Sequence, residues 1–166
     1  GLRKVYGLGV PVTFHVNGDA AVDSLIKAHE FAAADDPTRE RNVTAIHAQF
    51  TRKDQIPLYV KYKIRPSFYT LHTYYFAEAH VANRGKEQAM YISPMRDAID
   101  KGLVPTNHTD FVVAPLDQLF MMWSAVNRVS RAGAVIGADQ RVTSLEALKA
   151  QTINVAHQYG EQATKG

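Results

Sequence analysis

Histidine is the residue type through which this chain could do chemistry: it has seven, and no cysteine. Disulfides and thiolate metal sites are therefore excluded. Three histidines and an aspartate (His15, His47, His72 and Asp110) fall at the ends of short apolar, β-branched runs, and His108 stands two residues before Asp110. Imidazole nitrogen plus one carboxylate oxygen is a donor set that suits zinc or a similar divalent metal. Their strand-end positions matter because parallel α/β folds carry their sites at the C-terminal ends of strands. The other histidines read differently. His29 is mid-helix and His157 lies in the last helix, so both are expected to pack or face solvent. His80 shares a polar loop with Tyr74, Tyr75 and Glu78, where a solvated role is expected.

Two further groups have both a chemical and a plain reading. In Asn17-Gly18-Asp19 the glycine could turn the backbone beside a ligand while Asp19 orients a metal-binding group. The same three residues also make an ordinary turn with Asp19 as helix cap. Arg128 could clamp an anionic substrate group, since its planar fork matches carboxylates, or complement a helix end together with Arg131. Met121, Met122 and Trp123 sit in an apolar helix and read as core. The chain has no GxGxxG, GxxxxGK[ST] or GxSxG, so dinucleotide binding, a P-loop and a serine-hydrolase elbow are not indicated.

The elements that must position these residues alternate. Runs at 10–15, 42–47, 64–71 and 103–107 read as strands. Helices are expected over 20–34, in a short stretch at 54–62 entered at Pro57, over 94–101 closed by Gly102, and over 116–129. A closing helix over 143–159 opens with Thr143 and Glu146 spaced as a capping box. Strand, helix, strand, helix repeated in this way predicts an α/β fold with parallel strands. The strand-end residues step by 32, 25 and 38 positions. That matches the ~31 residues per unit of a (β/α)₈ barrel, and a doubly wound sheet predicts similar steps.

Composition bounds the rest. The 166 residues fit one domain, large enough to bury a core. A hydrophobic share of 46% with 21% charged residues is that of a globular chain. The net charge of +3 is small and scattered, so no nucleic-acid partner is expected. No apolar run approaches the ~18 residues of a membrane span, so no membrane partner is expected, and the compartment is undetermined.

The segments Thr13-Phe14-His15-Val16-Asn17-Gly18-Asp19, Ile46-His47-Ala48-Gln49-Phe50, Thr106-Asn107-His108-Thr109-Asp110 and Ala125-Val126-Asn127-Arg128 resemble, in that order, the amidohydrolase superfamily, nearest its family 3 branch. The resemblance covers nearly the whole chain. It implies a metal-dependent hydrolase on a TIM (β/α)₈ barrel, of which this chain looks like units five to eight, the C-terminal half of a longer protein. On it, His15 and His47 become the metal ligands of strands five and six. Asp110 ends strand eight as general base and ligand, and His72, His108 and Arg128 become candidate substrate contacts. The implied cofactor is a divalent metal, expected to be zinc, and the implied substrate is a small molecule cleaved at an amide-like carbon–nitrogen bond by metal-activated hydroxide.

Two departures from the family pattern stand out. The H-x-H pair of the first strand is absent, and His108-Thr109 stands where Gly-Ser usually precedes the aspartate. With few ligands in this chain, the isolated piece is expected to bind metal weakly and to catalyse poorly or not at all. Its exposed half-barrel should be covered by the missing half or by a second copy of the chain. The alternatives are an inactive scaffold or binding module, and a different α/β hydrolase.

Overall fold

Val12–Val16 (β1), Val43–His47 (β2), Ile64–Phe68 (β3) and Thr106–Asn107 (β4) form one parallel sheet in a computed structural model describing residues 1–166. The spatial order is β1-β2-β3-β4, the order of the chain. The strands advance in one direction, as they do around a barrel, without the reversal that makes the crevice of a doubly wound sheet.

The helices that follow β1 and β2 pack on one face of the sheet. Helix α2 (Asp19–Ala32) packs on β1, and helix α1 (Leu2–Gly7) packs on α2. In α2, Val22, Leu25, Ile26, His29 and Ala32 recur at helical spacing and are the buried face. They meet Val16, Val43, Ala45, Ile64 and Phe68 of the sheet, together with Tyr59 and Tyr62 of α3 (Ile56–Tyr62). Each fully buried large apolar side chain of this layer contributes about 1.5–3 kcal/mol. Helix α3 has Pro57 in its first turn and ends at Lys63, whose left-handed φ of 53° turns the chain directly into β3. His29 is wholly buried: it accepts from the Tyr6 hydroxyl at Nδ1 and donates from Nε2 to the Pro37 carbonyl. It packs, as expected, and His157 is exposed.

The opposite face of the sheet is open at β1, where Thr13 and His15 are exposed while Val16 is buried. No helix is long and apolar enough to cross a membrane.

Several boundaries differ from the sequence expectation. β3 stops at Phe68 because the chain turns at once: the His72 amide returns to the Tyr69 carbonyl, and the Asn107 side chain pairs with Thr70 in place of a ladder. His72 therefore opens α4 (His72–Tyr75) instead of ending a strand. His80 lies in α5 (Ala77–Arg84) and not in a loop, followed by α6 (Lys86–Met90) and α7 (Met95–Asp100). Helix α8 (Gln118–Asn127) is capped by Asp117, which accepts from the Phe120 amide. The Thr143–Glu146 capping box forms as expected, but the closing helix is two, α9 (Ser144–Lys149) and α10 (Ile153–Tyr159). The break has a use, since the Ala150 carbonyl it frees accepts the Asn107 amide of the short edge strand β4. Asp19 is the first residue of α2 and caps nothing. It faces Arg52 at 3.6 Å, and Arg52 also grips Asp23 and Asp54.

Candidate metal centre

Alternation along β1 puts His15 on the open face, since Val16 beside it enters the core. By register His47 pairs with Val16 and Phe68, both core residues, so alternation alone would aim it into the helical layer. Its φ of 69° is about half a turn from the parallel-strand value of about −120°. That rotation carries the ring back to the open face, where it meets His15 edge to face at 4.7 Å between centroids. Positive φ is uncommon outside glycine, and Asp110, at φ 53°, also adopts it. Two candidate residues thus sit in conformations that cost free energy, as residues at functional sites often do.

His108 follows β4 directly, and its amide donates to the Phe68 carbonyl. Its ring lies between Ser67 and His47. Nδ1 is 3.1 Å from Ser67 Oγ, and Nε2 is 3.0 Å from His47 Nδ1. Metal-capable atoms of His47, His108 and Asp110 all fall within 4.8 Å of one another. The Asp110 carboxylate has no hydrogen bond or ion pair within the protein. His72 stands 6.0 Å from His47 and 6.2 Å from His80, ring to ring, so five of the seven histidines form one cluster.

Burial sets the charge of these rings. It lowers the pKa of His47, against the pull of Asp110, which favours the charged form. It brings His108 down to about 4, aided by His47, and His72 down to about 2, aided by His47 and His80. At neutral pH they are neutral imidazoles, the form that binds a metal. Two neutral nitrogens and an unpaired carboxylate oxygen within one ion's reach fit zinc or another borderline divalent ion.

Three further residues of the site lie outside the sequence expectation. Ser67 lies on the open face one residue before the end of β3, where the alternation of IRPSF could have placed it. Tyr69 is wholly buried, its hydroxyl has no partner, and its ring stacks on His108 at 5.8 Å. Burial, with Asp110 adding, pushes that hydroxyl up to about 12. Gln49 donates its side-chain amide to His80 Nε2 at 2.7 Å.

Arg128, a candidate substrate contact by sequence, is buried completely. It spends its guanidinium on the main-chain carbonyls of Ile92, Ser93 and Ile136, so it braces the backbone instead of facing a ligand. Asp19, held by Arg52, shows no contact with the histidine cluster.

A sheet of parallel strands with histidines and an aspartate gathered at its C-terminal end is an arrangement that can hold a catalytic metal. The chain belongs to the amidohydrolase family, whose family model matches residues 2–166. It is 27% identical over 168 aligned residues to N-substituted formamide deformylase of Arthrobacter pascens, covering 96% of this chain and 29% of that protein. The fold is similar to an uncharacterized metal-dependent hydrolase of Pyrococcus furiosus (TM-score 0.78, 25% identity, 97% of this chain and 32% of that one). A second such hydrolase, from Pyrococcus horikoshii OT3, superposes at a TM-score of 0.81 with 23% identity, over 98% of this chain and 32% of that one. The chain therefore spans about a third of the length of these relatives.

Proposed function

We propose that this chain carries the metal-binding face of a hydrolase that cleaves amide-like carbon–nitrogen bonds of small molecules. The observation that carries this reading is the convergence of His47, His108 and Asp110, with His15 against His47, at the C-terminal end of parallel strands. His15, His47 and Asp110 are the ligands, and zinc is the ion their donor atoms favour. A divalent ion held there would supply a water of pKa about 7 and polarise a carbonyl. An Asp110 carboxylate oxygen takes the proton of the attacking water and passes it to the leaving nitrogen, so amide and water become carboxylic acid and amine. His72, ring to ring with His47 at 6.0 Å, is the residue assigned to hold the substrate carbonyl. The deformylase relative supports an amide-type bond.

The one-directional strand order and the open face of β1 support four units of a (β/α)₈ barrel. Further strands, or a second copy of this chain, cover that face.

The test is hydrolysis, by the purified intact hydrolase that carries this chain, of a panel of N-formyl and N-acyl amines, scored by amine release. Activity lost on chelation and restored by Zn²⁺ is the expected result. A protein that retains Zn²⁺ at these residues yet releases no amine from any amide overturns the reading.

A further inference from the structure

We propose that His108 is a ligand of the metal centre described above, on which this inference rests, and that Ser67 is the residue that positions it. By sequence His108 stood as a substrate contact. The structure leaves it no nitrogen for that role, because Nδ1 is engaged by Ser67 Oγ at 3.1 Å and Nε2 faces His47 Nδ1 at 3.0 Å.

Two nitrogens bound to one ion at about 2.0–2.1 Å in tetrahedral geometry lie about 3.3 Å apart. The observed separation is close to that, so both rings can accept one ion with a movement of a few tenths of an ångström. Without an ion the facing nitrogens must share a proton. With Ser67 Oγ as acceptor, Nδ1 of His108 keeps its own proton and Nε2 presents a lone pair, the tautomer a ligand needs.

The ring is fixed from three sides. Its backbone amide is bonded to the Phe68 carbonyl, Tyr69 stacks on one face, and Ser67 holds its far nitrogen. The third donor is near, since the Asp110 carboxylate lies within 4.8 Å of both imidazole donors and has no other partner. A cleft of about 380 Å³ bordered by Ile46, Ser67, His108 and Asp110 gives an ion and its water a way in. His47, His108 and Asp110 together make a three-donor set from this chain alone, with the His15 ring 4.7 Å from that of His47. The piece should then hold metal more tightly than His15, His47 and Asp110 alone would allow.

The test is titration of the metal-free protein with Co²⁺, read by equilibrium dialysis and by the visible absorption of the bound ion. Loss of a supporting residue weakens metal binding about 10–100-fold. Ser67→Ala should fall in that range and change the cobalt spectrum, and Ser67→Thr, which keeps the hydroxyl, should restore both. His108→Ala should weaken binding by more than about 100-fold and reduce the absorption that reports low coordination number. Thermal melts check that each variant folds, and if His108→Ala does not, the two Ser67 variants decide. Wild-type affinity and spectrum in His108→Ala overturn the ligand assignment while leaving a metal-dependent hydrolase standing. Unchanged binding in Ser67→Ala overturns the positioning role. A wild-type protein that takes up no Co²⁺ removes the centre itself.

Discussion

Arg128→Met separates bracing from substrate binding. Methionine keeps most of the volume but none of the donors. In the wild type the guanidinium donates to three carbonyls. The Ser93 carbonyl also accepts the Met95 amide at 2.8 Å and stays satisfied, whereas those of Ile92 and Ile136 lose their protein donor. Each such buried carbonyl costs about 1–3 kcal/mol, which places the loss near ~4 kcal/mol for two. At about 2–4 °C per kcal/mol for a chain of this size, the melting temperature should fall by about 8–16 °C. The segment loosened includes Ser93, whose amide holds the Gln49 carbonyl beside the histidine cluster, so activity should decline with stability. The assay is a thermal melt beside steady-state kinetics at a temperature where both proteins are folded. A variant that melts within about 2 °C of wild type but shows a raised KM would refute the bracing role and return Arg128 to the substrate.

Three other outcomes are expected. Asp110→Asn should remove most turnover and also lower metal content, measured by elemental analysis; comparable turnover in the metal-loaded variant excludes Asp110 as the base. Gly137→Ala should destabilise by about 2–4 kcal/mol in denaturant melts, because φ is +62° and the added Cβ would stand 1.8 Å from the Met90 carbonyl oxygen. Glu146, hydrogen-bonded by Arg96 and by the Thr143 cap, has its pKa lowered from 4.5 to about 2. A lowered folded pKa means the stabilisation is present above the unfolded value and is lost as pH falls from about 4.5 to about 2. Glu146→Gln should flatten the melting temperature across that window, and an unchanged slope counts against the pair.

What the sequence made legible follows from how local each signal is. The α2 helix, the Thr143–Glu146 box and the β2 strand depend on neighbours in the chain, and they stand where the pattern puts them. β3 was read three residues too long because Tyr69, Thr70 and Leu71 are as apolar and β-branched as a strand. What ends it is a non-local pairing of Thr70 with the Asn107 side chain. That error made His72 a strand end. The split between α9 and α10 was hidden for the same reason, since it serves a bond to Asn107 more than forty residues away in the chain. His15, His47 and Asp110 were visible from position, but the turn that brings His47 to the open face is a backbone dihedral that no residue type announces. His108 was visible from its place two residues before Asp110, and its contact with Ser67 only through the fold.

The central claim is that these side chains hold a divalent ion, and anomalous diffraction at the zinc edge from Zn²⁺-soaked crystals tests it most directly. The account predicts a peak within about 2.3 Å of a His47 nitrogen and an Asp110 oxygen. Zinc bound only elsewhere, or no peak with His47, His108 and Asp110 in the positions described, would contradict it.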